Sequence, residues 1–256
     1  MKITFMGTGT SHGIPVIGCR CAVCVSPDPR NKRNRLGVWL HDEAHSVMLD
    51  VSTDFRAGAL RHGMRTLDAA LLTHAHSDHV SGLDDLRIFS QVSGKATPLY
   101  GDADTLEDVR ERFAYAFQPP KGYGGGTPQY DLRIATKAFD LGGWKITPLP
   151  VLHGPEPILG YRINDFALIT DVTEIPESTL ELLKGLKVLA LDCLREKPHS
   201  THLGFQQSVD YAKRIGAQMT YFIHMCHELE HVATEARLPP EIRLAYDGLE
   251  IHSLDS

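Results

Sequence analysis

Long apolar runs are missing from this chain. No stretch supplies the about 20 consecutive apolar residues that a membrane-spanning helix needs. The opening Met1-Lys2-Ile3-Thr4-Phe5-Met6-Gly7 is too short in its apolar part for a signal peptide and has no cleavage site. It reads as a first β-strand, and the expected compartment is the cytoplasm. Cysteine is scarce, five in 256 residues, and the count is odd. With no leader, that disfavours a disulfide framework. Basic charge is not in excess either: the net charge is −6 with histidines neutral. A mildly acidic surface argues against tight, nonspecific nucleic-acid binding. The one basic run, Arg30-Asn31-Lys32-Arg33-Asn34-Arg35, reads as a solvated loop, with a phosphate-facing lip as the sharper alternative.

What is present is ordinary in bulk, 42% apolar and 23% charged, and long enough for a large buried core. Residues 1–256 read as one domain. Strand patterns are expected at 2–6, 36–41, 46–50, 69–73, 96–100, 144–149, 159–163, 166–170, 188–192, 219–223, 242–245 and 249–251. Helical patterns fall at 54–62, 82–92, 104–117, 176–184, 204–215 and 228–237. Such alternation suggests sheets packed face to face with helices outside. A Gly/Pro-rich excursion at 119–128, carrying Lys121 and Tyr123, fits neither element.

The densest chemistry lies at Leu71-Leu72-Thr73-His74-Ala75-His76-Ser77-Asp78-His79. Imidazoles and a carboxylate suit zinc, manganese or iron. A strand followed by a sharp turn aims His74 and His76 at one point, because alternate side chains share a face. Asp78 and His79 then aim at a second point, so the cluster suggests two ions. Three further candidates each end an apolar run: His153, Asp171 and His224. Asp192 ends another, beside Cys193, with a supporting role open. Cys19-x-Cys21-x-x-Cys24, within a loop at 18–25, offers three thiolates, and a closed zinc site needs a fourth ligand. His227 is the preferred fourth ligand and Cys226 its rival.

The ordered set His74-x-His76-x-Asp78-His79, His153, Asp171 and His224 resembles the metallo-β-lactamase superfamily over most of the chain. The resemblance implies an α/β fold, the αβ/βα sandwich of two mixed sheets, with metals at one rim. It implies His74, His76 and His153 on one divalent cation, and Asp78, His79 and His224 on the other. Asp171 bridges, and a metal-bridging hydroxide is the nucleophile. Asp78 together with Asp171 resembles the phosphodiesterase branch. The cysteine loop after Gly7-Thr8-Gly9, His224-x-x-His227 and Asp247-Gly248-Leu249-Glu250-Ile251 narrow this to the PhnP-type phosphodiesterases. That branch implies a structural zinc on Cys19, Cys21, Cys24 and His227, and manganese or zinc in the reaction centre. It also places a general acid at His202, which with Asp78 completes the catalytic pair; His199 is the competitor.

The implied activity is cleavage of a small cyclic phosphate or 2′,3′-cyclic nucleotide. Alternatives within the superfamily are a tRNA-processing nuclease and a PqqB-like cofactor-biosynthesis protein. Partners follow: a small phosphodiester substrate, no large nucleic acid and no membrane. A homodimer is left open. His41, His45, His62, His231 and His252 show no partner pattern and are expected at the surface. Arg87 is expected in a surface ion pair.

Overall fold

The computed structural model describes residues 1–118 and 126–252. Most of the excursion expected at 119–128, with Lys121 and Tyr123, lies outside them. The first half runs β1 (Lys2–Gly7), β2 (Gly37–His41), β3 (Ser46–Leu49), α1 (Phe55–Arg61), β4 (Ala69–Leu71), α2 (Ser77–Val80), α3 (Arg87–Ser93), β5 (Thr97–Gly101), α4 (Ala103–Arg112), α5 (Ala114–Phe117) and β6 (Tyr130–Ile134). The second half runs β7 (Phe139–Leu141), β8 (Trp144–His153), β9 (Glu156–Ile163), β10 (Phe166–Ile169), α6 (Glu177–Leu182), β11 (Val188–Asp192), α7 (Phe205–Ile215), β12 (Met219–Ile223), α8 (His231–Glu235), β13 (Ile242–Leu244) and β14 (Glu250–His252).

Two mixed sheets result, in the orders β14-β1-β2-β3-β4-β5-β6 and β13-β12-β11-β10-β9-β8-β7. Period-two alternation decides which face each residue takes. Phe166, Leu168, Val188 and Ala190 pack between the sheets with Ile3, Phe5, Val47 and Leu49. Their neighbours Ala167, Ile169, Leu189 and Leu191 pack outward with Phe205, Val209 and Ala212 of α7. Met48, Ala70 and Leu72 likewise face Phe55, Leu83 and Phe89 on the other side. Strands covered on both faces read as unbroken apolar runs, which is why β10 and β11 are wholly buried. The layers are therefore helices, sheet, sheet, helices, the αβ/βα sandwich.

Several elements differ from the sequence expectation. The helix expected at 82–92 is split into a 3-10 turn, Leu83–Leu86, and α3. The helix expected at 228–237 shrinks to α8, so His227 lies in the turn before it. Strands β6 and β7 were not legible: they are sheet edges, and their half-exposed residues show no clean alternation. His231 is not at the surface but 1% exposed. The basic run is no phosphate lip: Arg30 pairs with Asp28, Arg35 with Asp54, and Arg33 is buried.

Candidate active site

The parallel strands β3 and β4 in one sheet, and β10, β11 and β12 in the other, send their C-terminal ends to the same rim. Asp50, Asp171, Asp192 and His224 follow or close those ends. Asp50, Asp171 and His224 take left-handed backbone, with φ of 55°, 54° and 59°. Non-glycine residues hold that conformation at a cost, and such strain gathers at functional sites. The turn lets each side chain leave its strand sharply and point across the rim.

Two donor clusters meet there. In the first, ligand atoms of His74, His76, His153 and Asp171 lie within 4.8 Å of one another. In the second, the same holds for Asp78, His79, Asp171 and His224. Asp171 belongs to both, and its oxygens divide the work. Oδ1 is 3.9 Å from His74 Nε2, whereas Oδ2 is 3.3 Å from His79 Nε2 and 3.4 Å from His224 Nε2. Asp78 Oδ2 is 3.3 Å from His79 Nε2 and 3.4 Å from His224 Nε2.

Neighbouring groups set the rings. His79 Nδ1 meets Asp50 Oδ2 at 2.7 Å. The same carboxylate accepts the Thr73 N–H at 2.8 Å and the Thr73 hydroxyl at 2.9 Å. That hydroxyl, its own proton committed to Asp50, accepts from His74 Nδ1 at 3.0 Å. His153 Nδ1 donates to the Thr201 carbonyl at 2.7 Å. With Nδ1 occupied, Nε2 of each ring is left with its lone pair toward the cluster.

His202 stands at the margin of both clusters, stacked on His224 with ring centroids 5.0 Å apart and edge-on to His153 at 4.9 Å. Its Nδ1 lies 3.5 Å from Asp192 Oδ1 and 3.8 Å from Asp171 Oδ1. Asp192 also accepts the backbone N–H of Leu203 and of Asp171. His199 stays outside these groups; its Nδ1 is 3.1 Å from Thr201 Oγ1. A cavity of about 440 Å³ opens beside His74 and His76, lined by Asp102, Asp104, Asp108 and Glu156 and by Arg112, which pairs with Asp108.

The donors fit divalent cations. Asp50, Asp78, Asp171 and Asp192 are all buried at this rim, and buried charge needs compensation. Among the described residues, the groups facing them are imidazoles rather than lysine or arginine. His79 Nε2 is buried without a hydrogen-bond partner while facing two carboxylate oxygens, an arrangement that a cation among them would satisfy. The electrostatics agree. Burial opposes ionisation of Asp78 and Asp171, yet the histidines around them hold both carboxyls well below the usual range. Burial likewise works against charge on His79 and His224, but Asp171 and its neighbours raise both. His74 and His153, where burial dominates, are lowered. A field that favours a proton among these ligands favours a dication more.

The cysteine loop makes a second centre. Sγ of Cys19, Cys21 and Cys24 lie 3.3, 3.6 and 3.5 Å from His227 Nδ1. Soft thiolates plus one imidazole at these separations match a closed tetrahedral zinc site. Cys226 is not in the group; its sulfur accepts the Glu228 N–H at 3.4 Å. The Cys24 N–H, the largest influence on Cys21, lowers that thiol, whereas burial pushes Cys24 up to about 11.

Of the residues singled out by sequence, all the paired donors converge. Asp50, Thr73 and Thr201 were missed. Asp50 carried a usable signal: it directly follows a fully buried strand, much as Asp171 follows β10.

A family model for the beta-lactamase superfamily domain matches residues 45–225. The crystal structure of a new diphosphatase from the PhnP family is 40% identical, with a TM-score of 0.91 over 98% of this chain and 97% of that one. The octanoyltransferase of Porphyromonas gingivalis is 37% identical over 98% of this chain. A ribonuclease Z of Mycobacterium bovis is 30% identical over 64% of this chain. The chain spans little more than half the length of these curated relatives, 51% and 59%. On the family model and the 40% identity across both full chains, the protein belongs to the metallo-β-lactamase superfamily and, within it, to the PhnP family.

Proposed function

We propose that this hydrolase-fold protein cleaves a small phosphodiester, a cyclic phosphate or 2′,3′-cyclic nucleotide, at the rim shared by the two sheets. The observation that carries the reading is the division of Asp171: one carboxylate presents one oxygen to each donor cluster. His74, His76, His153 and Asp171 would hold one divalent cation, manganese or zinc, and Asp78, His79, Asp171 and His224 the other. When bound, such a pair neutralises phosphate charge and brings the pKa of water toward neutrality. Everything else is done by the chain. Asp50 and Thr73 orient His79 and His74, and the Thr201 carbonyl orients His153. Asp192, 3.5 Å from His202 Nδ1, orients that ring. His202 would then donate a proton from Nε2 to the departing oxygen. Asp78 is buried beside His79 and His224 and would complete their donor set.

The acid wall beside His74 and His76 disfavours a polyanion and suits a small substrate carrying one phosphoryl group and hydroxyls. A second reading is hydrolysis of a phosphoanhydride, supported by the 40% identical relative described as a diphosphatase.

The test is an assay of metal-reconstituted protein on bis(p-nitrophenyl) phosphate, 2′,3′-cyclic nucleotides, a nucleoside diphosphate ester, a lactam and a thioester. Turnover of the diesters supports the first reading, and turnover of the anhydride alone favours the second. Thioester or lactam cleavage without either ends both. His202→Ala is expected to lower kcat by about 10²–10⁴-fold with metal content unchanged. Loss of metal in parallel would make it a ligand.

A further inference from the structure

Arg33 is a charged side chain that the chemistry above does not use. It is 1% exposed, among the largest fully buried side chains of the molecule. No carboxylate pairs with it among the described residues; its guanidinium goes to two backbone carbonyls and, at 3.4 Å, to Asn31 Oδ1. Nη1 donates to the Cys226 carbonyl at 2.9 Å and Nη2 to the Leu229 carbonyl at 2.7 Å. These carbonyls flank His227 in the chain. Burial pulls the guanidinium down to about 10, which leaves it charged at neutral pH. A buried cation without an ion pair costs more than an apolar side chain of the same size unless it fixes something. The planar fork is suited to holding two acceptors at once.

The neighbouring residues extend the brace. Asn31 donates to Glu230 at 2.7 Å and accepts the His231 N–H at 2.9 Å. Lys32 Nζ donates to the Cys24 carbonyl at 3.0 Å. Arg33 exchanges backbone hydrogen bonds with Ile14, at 2.8 and 2.7 Å, and Ile14 packs on Val23 and Cys24. Residues 31–33 therefore touch both parts of the cysteine centre, the loop with its sulfurs and the turn with its imidazole. That turn begins at His224, whose left-handed backbone aims it into the rim.

We propose that Arg33 is the positioning residue of the 224–229 turn: by taking the carbonyls on either side of His227 it sets that imidazole against the three sulfurs and, through the same turn, fixes His224 in the active site. The proposal rests on reading both centres as metal sites. Its test is chosen so that it does not depend on which ester is cleaved.

Arg33→Met and Arg33→Lys are made in the full chain and loaded with zinc. Release to the chromophoric chelator 4-(2-pyridylazo)resorcinol is followed over time, and the thiolate-to-metal band of cobalt-loaded protein is recorded. Arg33→Met is expected to release one zinc equivalent about tenfold faster than the parent and to weaken the cobalt band. Arg33→Lys should fall between, since an ammonium reaches one carbonyl of the two. Ile146→Val, in the core between the sheets, should match the parent in both readouts. Parent-like release and spectra in both Arg33 variants overturn the proposal, as does equal acceleration by Ile146→Val. If Arg33→Met does not fold, Arg33→Lys decides alone, and a parent-like rate overturns. A parent chain that holds no zinc on its cysteines overturns it as well.

Discussion

Asp50 touches no candidate ligand atom that faces the clusters, yet the positions of two histidines depend on it. Its carboxylate takes His79 Nδ1 at 2.7 Å and both donors of Thr73, and Thr73 in turn fixes His74. Asp50→Asn keeps the volume but puts an NH₂ where an acceptor was. Loss of charged hydrogen bonds of this kind costs about 1.5–3 kcal/mol, read as a fall in thermal or urea stability. Affinity for the ion at the Asp78 cluster should fall about 10–100-fold, measured by metal content after dialysis against graded chelator. Unchanged metal content would show that His79 holds its orientation by packing alone. At this scale the sequence exposed the residues that bring donor atoms and hid those that orient them. His74, His76, Asp78 and His79 are crowded into one turn, whereas Asp50 and Thr201 are single residues whose roles exist only after the strands have been paired. His231 was misjudged for a related reason: nothing in Glu228-Leu229-Glu230-His231 signals that Asn31 will reach across and take its backbone N–H.

Elements with both a core face and a capping signal were the legible ones. α7 buries Phe205, Val209 and Ala212 on one stripe, and Gly216 stops it in left-handed backbone at φ 69°. β11 and β12 fall where their apolar runs do. α8 starts later than expected because His227 turns to the cysteine centre and the Leu229 carbonyl to Arg33, leaving Glu230 to cap the helix through the Ala233 N–H. Two predictions belong to these elements. Cys21→Ser should lower zinc content by one equivalent and destabilise the fold, checked by metal analysis and thermal unfolding; unchanged stoichiometry would refute the Cys19, Cys21, Cys24 and His227 assignment. The second concerns α8. Burial, against the pull of Glu235, lowers the pKa of His231 below its ordinary value. The unfolded chain then binds a proton near pH 6.5 that the folded chain refuses, so stability falls as pH drops through that region and is regained above it. The slope from this one group is at most about 1.4 kcal/mol per pH unit. His231→Phe should flatten that part of a stability profile measured between pH 5 and 7.5, and an unchanged slope would place the acid sensitivity elsewhere.

At the scale of the whole molecule, both the layering and the order of the candidate donors could be read from the chain, because buried strands announce themselves as apolar runs and β4, β8, β10 and β12 each lead into a donor. The cavity beside the site could not, because its walls come from separate elements. Asp102, Asp104 and Asp108 come from the start and middle of α4, and Glu156 from β9, and they meet only beside His74 and His76. Arg112 is partly spent on Asp108, 3.3 Å away. With a net charge of −6, the molecule offers a polynucleotide little to displace counterions. Processing of a tRNA precursor, which needs several phosphate contacts, should therefore be weak, although ribonuclease Z proteins are among the relatives. Salt gives the direct measurement. For a substrate with one phosphoryl group, KM between 50 and 200 mM potassium chloride should rise with a log–log slope no steeper than about one, whereas a single strand held at several phosphates gives about 0.7 per contact. Exchanging Asp104 and Glu156 for lysine should steepen the slope for an RNA substrate and lower its KM, while leaving the small diester within about twofold, as rim charges on an exposed wall act mainly on encounter. A parent protein that already shows a slope of several units on RNA would mean that a basic footprint exists elsewhere on the surface and that the acidic wall does not set the substrate class.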